Sequence, residues 1–178
     1  GTDGVTLMNN GKSRIVLTGF MGVGKSTVAK CLSYILQTER IDLDRFIEKK
    51  ESRTIPEIIE KEGEDQFRQL ETNYLREILT ESDSQIIALG GGAWITEENR
   101  KMIKDNKCTS IWLESTFEHC WRNINISKQE RPLAKDKFSV EKLFNERQKF
   151  YCLADWHLIV KPELTSFELA SFIAKEIL

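Results

Sequence analysis

Short apolar runs alternate along the chain with longer segments in which apolar residues recur at helical spacing. Runs rich in β-branched and aliphatic residues predict strands at 14–18, 40–42, 85–89, 109–113 and 157–160. After the first run, Val28, Leu32 and Ile35 fall on one helix face, and residues 67–78 repeat this pattern. Strands interleaved with helices form β-α-β units, whose parallel sheet carries helices on both faces. The pattern therefore predicts a three-layer α/β fold.

Capping signals mark the ends of several predicted helices. Thr54 with Glu57, and Ser115 with Glu118, have the spacing of a capping box, in which each side chain bonds the backbone N–H of the other residue. Gly63 can end the helix that Thr54 begins. In parallel sheets, ligands bind at the carboxyl ends of the strands. We therefore expect the functional residues in or close to the loops that follow the strands.

The loop after the first predicted strand has the pattern of a phosphate-binding loop. It reads GFMGVGKS, so that Gly19 is followed after four residues by Gly24, Lys25 and Ser26, and an amphipathic helix begins at once. Backbone N–H groups of such a loop point at a phosphate, and the helix N-terminus adds partial positive charge. Lys25 can reach the β- and γ-phosphates, and the Ser26 hydroxyl can ligate Mg²⁺. The candidate nucleotide-binding residues are Gly22, Val23, Gly24, Lys25, Ser26 and Thr27.

Two pairs of charged residues are candidates for the acceptor side of a reaction. Asp42 and Asp44 are two residues apart and would share one face if the second strand extended to both. One carboxylate could then serve Mg²⁺ through water and the other an acceptor hydroxyl, with a solvated strand end as the alternative. Arg68 and Glu71, three apart on a predicted helix, can form an ion pair, and Arg68 adjoins the apolar stripe at Phe67.

Three successive glycines, Gly90, Gly91 and Gly92, follow the third predicted strand. Because they have no side chains, a small ligand could touch main-chain N–H groups at the edge of the sheet. A flexible turn is the alternative, although a turn rarely needs three glycines. The triplet is therefore a candidate binding element.

A locally basic segment lies between residues 122 and 149, where eight basic residues stand against four acidic ones. Its first part is polar and poorly periodic, which indicates a mobile loop. Arg131, directly before Pro132, is placed to close over phosphates as part of a lid. Arg147 lies on the apolar face of a predicted helix. Such an arginine either extends to solvent or binds a carboxylate as a fork, and the pattern leaves both open.

Length, composition and charge narrow the function classes. The chain has 178 residues, 40% of them hydrophobic, without an internal repeat or a Pro/Gly-rich linker, which predicts one domain over 1–178. A net charge of −2 argues against a nucleic-acid clamp or a polybasic membrane binder, and no apolar run reaches the roughly 18 residues of a membrane span. The four cysteines form no C-x-x-C pair, and His119 beside Cys120 is too isolated for a metal site. We expect a reduced, cytoplasmic protein.

Together these motifs resemble those of the shikimate kinase family of small P-loop kinases. The matching stretches follow in order from about Arg14 to the C-terminus and are GFMGVGKS at 19–26, IDLDRFIE at 41–48, GEDQFRQLE at 63–71, ALGGGA at 88–93, RPL at 131–133 and RQKFY at 147–151. The phosphate loop is common to many families, whereas the combination is far more specific. The resemblance implies a P-loop NTPase-type fold with a five-stranded parallel sheet, a substrate-binding helical segment at about 44–72 and a mobile lid at about 122–135.

What the resemblance implies for function is ATP-dependent phosphorylation of the 3-hydroxyl of shikimate, a step of aromatic amino-acid biosynthesis, with Mg²⁺ as cofactor. Carried over by position, the catalytic residues would be Lys25, Asp44 and Arg131, with Arg131 also binding the nucleotide. Ser26 and Asp42 would serve Mg²⁺. The substrate-binding residues would be Asp44, Arg68, Gly90, Gly91, Gly92 and Arg147.

The resemblance also implies that Glu71 holds Arg68 in place. The chain departs from the family at Glu51-Ser52, where members often have Thr-Gly, and no catalytic position is affected. We expect a monomer whose partner is the small-molecule substrate, with residues 1–12 as a flexible tail.

Two other functions stay open at this point. One is phosphorylation of another small acceptor, such as gluconate or a nucleoside monophosphate. The glycine triplet with Arg68 and Arg147 favours a small polyhydroxy carboxylate over a nucleotide. The other is a nucleotide-binding regulatory module without catalysis. The presence of Lys25, Asp44, Arg68 and Arg131 together weighs against it, because a module that only binds ATP has no use for an acceptor site.

Overall fold

The structure of the protein, a computed structural model, describes residues 14–127 and 136–178, without the side chains of residues 126 and 127. The strands are β1 (Arg14–Thr18), β2 (Arg40–Asp42), β3 (Ile86–Ala88), β4 (Cys108–Glu114) and β5 (Trp156–Ile159). The helices are α1 (Lys25–Leu36), α2 (Leu43–Glu51), α3 (Ile55–Glu62), α4 (Glu64–Glu81), α5 (Glu97–Asp105), α6 (Phe117–Ser127), α7 (Lys137–Tyr151) and α8 (Ser166–Phe172). A 3₁₀ turn (Ala93–Ile95) follows β3, and a short π-helix (Ile173–Ile177) follows α8.

The strands form one parallel sheet in the order β2-β3-β1-β4-β5. This confirms the expected five-stranded sheet, and each predicted run overlaps one of the strands. Around β3 the pairing continues beyond the strand, because Ile15 N donates to Gln85 O at 2.7 Å and Leu89 N donates to Leu17 O at 3.0 Å.

Helices cover both faces of the sheet, as the alternating pattern predicts. Helix α1 packs on α8 and contacts β1, β2 and β3, whereas α5 lies against β4 and contacts α4. Crossovers between parallel strands are right-handed, so connections that run towards β2 and those that run towards β5 place their helices on opposite faces. Val28 and Leu32 of α1 are buried against the sheet, while Ile35 is only half-buried. The three-layer α/β fold is confirmed.

Helices α2, α3 and the first half of α4 form the helical segment expected at about 44–72. Helix α3 begins with the predicted capping box, in which Thr54 Oγ1 accepts from Glu57 N at 3.2 Å and Glu57 Oε1 accepts from Thr54 N at 2.7 Å. It ends at Gly63, also as predicted.

The predicted capping box of Ser115 and Glu118 is wrong. Helix α6 begins at Phe117, and Thr116 Oγ1 accepts the hydrogen bond from His119 N at 3.2 Å. The Ser115 hydroxyl instead donates to the carbonyl oxygen of Val160. The helix starts one residue later than predicted because a second capping hydroxyl follows Ser115 directly.

Several predictions fall on residues outside the described part of the chain. These are the tail at 1–12 and, within the expected lid, residues 128–135, which include Arg131; residues 122–127 end helix α6. Among the helices of residues 14–127 and 136–178, none is long and apolar enough to cross a membrane. The same residues hold no group of three or more His, Cys, Asp or Glu arranged for a metal ion.

Candidate active site

Two cavities adjoin at the carboxyl ends of β1, β2 and β3. The first, of about 290 Å³, lies over the loop that joins β1 to α1, and we call it the loop cavity. The second, of about 350 Å³, lies between that loop, helices α2 to α4, the glycine triplet after β3 and Arg147 of α7, and we call it the helical cavity. The residues that line both are Met21, Ser26, Asp42, Asp44, Gly90 and Gly91. The two cavities therefore share a wall.

The backbone of the phosphate-binding loop is tightly constrained. Gly22 has a φ of +86°, and a Cβ there would lie 2.5 Å from the carbonyl oxygen of Cys120 in α6. Lys25, the first residue of α1, is 9% exposed, and its Nζ donates to the carbonyl oxygens of Gly19 at 2.8 Å and Phe20 at 3.1 Å. The ammonium group is thus held at the loop, where a phosphate would be bound.

Five of the six candidate nucleotide-binding residues line the loop cavity; they are Gly22, Gly24, Lys25, Ser26 and Thr27. Val23 does not. Its side chain is 4% exposed within the core, and its N–H donates to Phe20 O at 3.2 Å inside the loop. In this conformation, the Val23 N–H is turned to the loop itself.

The two aspartates lie on both sides of a strand-to-helix junction. Strand β2 ends at Asp42, whose Oδ1 accepts from Arg45 N at 3.2 Å and so caps helix α2. Asp44 is in the first turn of that helix, so the idea that both share one face of an extended strand is wrong. The turn nevertheless brings both carboxylates to the shared wall. There the Ser26 hydroxyl donates to Asp42 Oδ2, which joins the start of α1 to the end of β2.

The Asp44 carboxyl has an unusual protonation equilibrium. Burial raises its pKa to about 6, and the negative charges of Asp42 and Glu48 act in the same direction. The positive charges of Lys25 and Arg68 oppose the rise. The group is therefore mostly ionised at neutral pH and still able to take up a proton.

Each glycine of the triplet lies directly against the charged side chain of one residue that the sequence analysis predicts for the site. None of the three has a positive φ, so the reason for glycine here is close approach and not backbone conformation. A Cβ would lie 2.5 Å from the charged group at two positions and 3.2 Å at the third. The pairs are Gly90 with Asp44 Oδ1, Gly92 with Arg68 Nη2 and Gly91 with Arg147 Nη1.

Arg68 is held by two carboxylates of its own helix. Its Nη1 donates to Glu71 Oε1 at 2.9 Å and its Nη2 to Glu64 Oε2 at 3.3 Å. Glu71 is 1% exposed, and burial raises its pKa to about 7, against the opposing charge of Arg68. The ion pair anticipated from the spacing is therefore a sheltered one that fixes the guanidinium at the helical cavity.

Arg147 faces the helical cavity and does not extend to solvent. Its side chain is 7% exposed, and its guanidinium lies 5.9 Å from the centre of the Phe20 ring. One turn later on α7, the buried Tyr151 hydroxyl donates to Gly91 O at 2.7 Å. Arg68 and Arg147 thus reach the same cavity from different helices, with the glycine triplet between them.

Comparison with known proteins identifies the family. A family model described as shikimate kinase matches residues 21–178. The chain belongs to the shikimate kinase family. It is 40% identical over 164 residues to the shikimate kinase of Streptococcus thermophilus, covering 89% of this chain and 96% of that protein. The shikimate kinase of Aquifex aeolicus is 39% identical over 166 residues, with 93% and 94% covered.

A solved structure of the shikimate kinase family gives the same result for the fold. The shikimate kinase from Acinetobacter baumannii in complex with shikimate matches with a TM-score of 0.85 at 32% identity, covering 93% of this chain and 92% of that one. The expected family and P-loop NTPase-type fold are therefore confirmed.

Several residues that lie at or beside the site were not predicted from the sequence. Tyr151 belongs to the RQKFY motif, and its position one turn after Arg147 is the signal that could have placed it near the site. Asn123 lines the loop cavity and donates from Nδ2 to Gly22 O at 2.8 Å. Trp94, next to the glycine triplet, packs inward, and its indole N–H donates to Phe150 O. The apolar wall of the helical cavity comprises Met21, Ile55, Pro56, Ile59 and Phe67.

Proposed function

We propose that the protein transfers the γ-phosphate of ATP to the 3-hydroxyl of shikimate, giving shikimate 3-phosphate and ADP in aromatic amino-acid biosynthesis. The observation that carries the proposal is the shared wall of the two cavities. One cavity has the lining of a nucleotide phosphate site, the other offers two arginines and a glycine triplet, and Asp44 lies where they meet. The relative bound to shikimate belongs to the same family.

The loop cavity accounts for the phosphate donor. Backbone N–H groups of the loop and the N-terminus of α1 would bind the phosphates, and Lys25 would neutralise charge on the group being transferred. Phosphoryl transfer has a loose transition state, so positioning and charge neutralisation are the main contributions of the protein. We include Arg131 in this proposal as a phosphate contact from the lid; it lies outside the described residues.

The helical cavity accounts for the acceptor. Arg68 and Arg147 would bind the shikimate carboxylate, since two guanidinium groups offer forked donors to a carboxylate. The glycine triplet would leave room for the ring hydroxyls beside these arginines. Holding the carboxylate fixes the ring, so that one hydroxyl among several is turned towards the shared wall.

Asp44 would orient and deprotonate the acceptor hydroxyl. Its pKa of about 6 means that the carboxylate is available as a base at neutral pH, and burial makes it more basic than an ordinary aspartate. Its place in the shared wall lets it contact a hydroxyl in the helical cavity that points at the loop cavity.

The residues of the shared wall fit a Mg²⁺ ion. The Ser26 hydroxyl and the Asp42 carboxylate are oxygen donors that already meet there, and oxygen is the ligand atom that Mg²⁺ prefers. When bound with ATP, Mg²⁺ supplies positive charge to the β- and γ-phosphate oxygens. Ser26 would hold it directly, and Asp42 through water.

We further propose that the protein acts as a monomer in the cytoplasm. Residues of one chain line both cavities, which supports a site formed within a single chain. The four cysteines are free thiols, which is compatible with a reducing compartment.

The activity should decline at acidic pH. Because Asp44 must be unprotonated to accept the hydroxyl proton and its pKa is raised to about 6, kcat/KM for shikimate should rise with pH through about 6 and level off above it. With an ordinary aspartate, this acidic limb of the pH profile would lie near pH 4. Initial rates at saturating Mg-ATP between about pH 4 and pH 8 measure the limb. A kcat/KM that stays constant down to about pH 5 would contradict the role of Asp44 as the base.

Adding one methyl group at the triplet should weaken acceptor binding. In Gly92→Ala the new Cβ would displace Arg68 Nη2, so we expect KM for shikimate to rise about tenfold while KM for ATP stays within about twofold. Gly63→Ala, at the start of the helix that carries Arg68, is the matched control. It has nothing within 4 Å of its Cβ and a φ of +92°, so it should lower the melting temperature without changing KM for shikimate.

Thermal unfolding with each ligand tests the proposal against a regulatory module. A kinase should be stabilised by an ATP analogue with Mg²⁺, and further by shikimate, because each ligand binds only the native state. Gluconate and a nucleoside monophosphate serve as comparison acceptors. Stabilisation by the nucleotide alone, with no further shift from shikimate, would contradict the proposed acceptor site.

A further inference from the structure

The apolar wall of the helical cavity is attached to helix α2 by one carboxylate. Glu48 Oε2 accepts a hydrogen bond from Ile55 N, the first residue of α3, at 2.9 Å. Its other oxygen, Oε1, accepts from Arg45 Nη1 at 2.7 Å. The Glu48 side chain is 21% exposed and itself lines the cavity, as do Thr54, Ile55 and Pro56.

We propose that Glu48 is a positioning residue for the acceptor, because it ties the start of α3 to α2 and so sets the width of the helical cavity. The inference rests on the proposed function, in which this cavity holds shikimate. Asp44 lies one turn before Glu48 on α2, so the tether fixes the distance between the proposed base and the opposite wall.

The bond at Ile55 differs from the other bonds at the start of α3. The first N–H groups of a helix have no partner within the helix. The capping box of Thr54 and Glu57 satisfies two N–H groups, and both of its residues belong to this end of α3. The third N–H group, that of Ile55, is satisfied by Glu48, which belongs to helix α2. A carboxylate is also favoured there by the partial positive charge of the helix N-terminus.

Three variants separate the tether from general helix capping. Glu48→Ala removes the bond to Ile55, and we expect KM for shikimate to rise about tenfold with KM for ATP within about twofold. Glu48→Gln keeps an oxygen that can accept from Ile55 N–H, so its KM for shikimate should stay within about threefold of wild type. Glu57→Ala removes a carboxylate bond at the same helix end without touching α2, and it should leave this KM unchanged.

Several results would overturn the proposal. An unchanged KM for shikimate in Glu48→Ala is one. A rise in Glu57→Ala equal to that in Glu48→Ala would show that only the stability of α3 matters. A rise in Glu48→Gln equal to that in Glu48→Ala would assign the effect to charge and not to the tether.

Amide hydrogen exchange in the substrate-free protein tests the tether apart from activity. The Ile55 amide should exchange faster in Glu48→Ala than in wild type and Glu48→Gln, because its hydrogen-bond acceptor is lost. Equal exchange in all three would overturn the proposal. If the wild-type protein did not phosphorylate shikimate, the proposed function would fail, and the exchange result alone would still decide whether Glu48 holds α3.

Discussion

Lys25→Ala should lower kcat by roughly a thousandfold or more, since a single preorganised cation at a transferring phosphate has effects of this size. Lys25 lies at the loop with its ammonium held by two backbone carbonyls, so the charge is in place before the nucleotide binds. Alanine leaves the loop glycines and the start of α1 unchanged. We therefore expect a folded protein that binds acceptor and fails at the transfer step, as measured by ADP release at saturating substrates.

Lys30→Ala is the matched control for that variant. Lys30 lies on the same helix, carries the same charge, is exposed and lines neither cavity. Its kcat should stay within about twofold of wild type, as is usual for a surface substitution. A Lys25→Ala protein with more than about a tenth of the wild-type kcat would contradict the role of Lys25, because such a loss is small for a direct phosphate contact.

Asp44→Asn should lower kcat by about a hundred- to ten-thousandfold, the range for losing a general base. Asparagine has nearly the shape of aspartate and fits against Gly90, so the acceptor cavity should keep its form. KM for shikimate should change by no more than about threefold, because Arg68 and Arg147 remain to bind the carboxylate. The acidic limb of the rate profile should disappear with the carboxyl group.

Asp65→Asn provides the comparison for this substitution. Asp65 is exposed in the first turn of α4 and lies in neither cavity wall, so its variant should keep the wild-type kcat and acidic limb. If Asp44→Asn retained the limb near pH 6, another group would be responsible for it, and the assignment of the base would be wrong.

Much of the fold could be predicted because its signals are local. Residues close together in the sequence determine the apolar run that forms β1, the GFMGVGKS loop and the helical spacing after it. Strand ends and helix caps were less predictable, since they depend on which of several adjacent groups forms a bond. Ser115 and Thr116 are both able to cap α6, and the contact of Ser115 with Val160 decides between them.

Site residues that belong to a sequence motif could be predicted. The contacts that they make with distant parts of the chain could not. The glycine triplet was recognisable, and its place in the site follows from strand β3. Its pairing with Asp44, Arg68 and Arg147 could not be read from the sequence, because these residues come from three different helices. The same holds for the bond between Glu48 and Ile55, which joins residues seven apart across a turn.

The burial of Arg147 shows why patterns alone left its role open. An arginine on an apolar helix face has two outcomes, and local sequence does not distinguish them. In the structure Phe20 and Gly91 lie beside the guanidinium, and the buried side chain lines the helical cavity. Long-range packing, which the sequence does not display, thus determines the position of this group.

The most direct test of the central proposal is a coupled ADP-release assay with Mg-ATP and one acceptor at a time. The acceptors are shikimate, gluconate, a nucleoside monophosphate and none. ADP release that depends on shikimate, with the product phosphorylated at its 3-hydroxyl, is the expected result. Protein that binds ATP and releases ADP with none of the acceptors, or with gluconate in preference to shikimate, would contradict the proposed function.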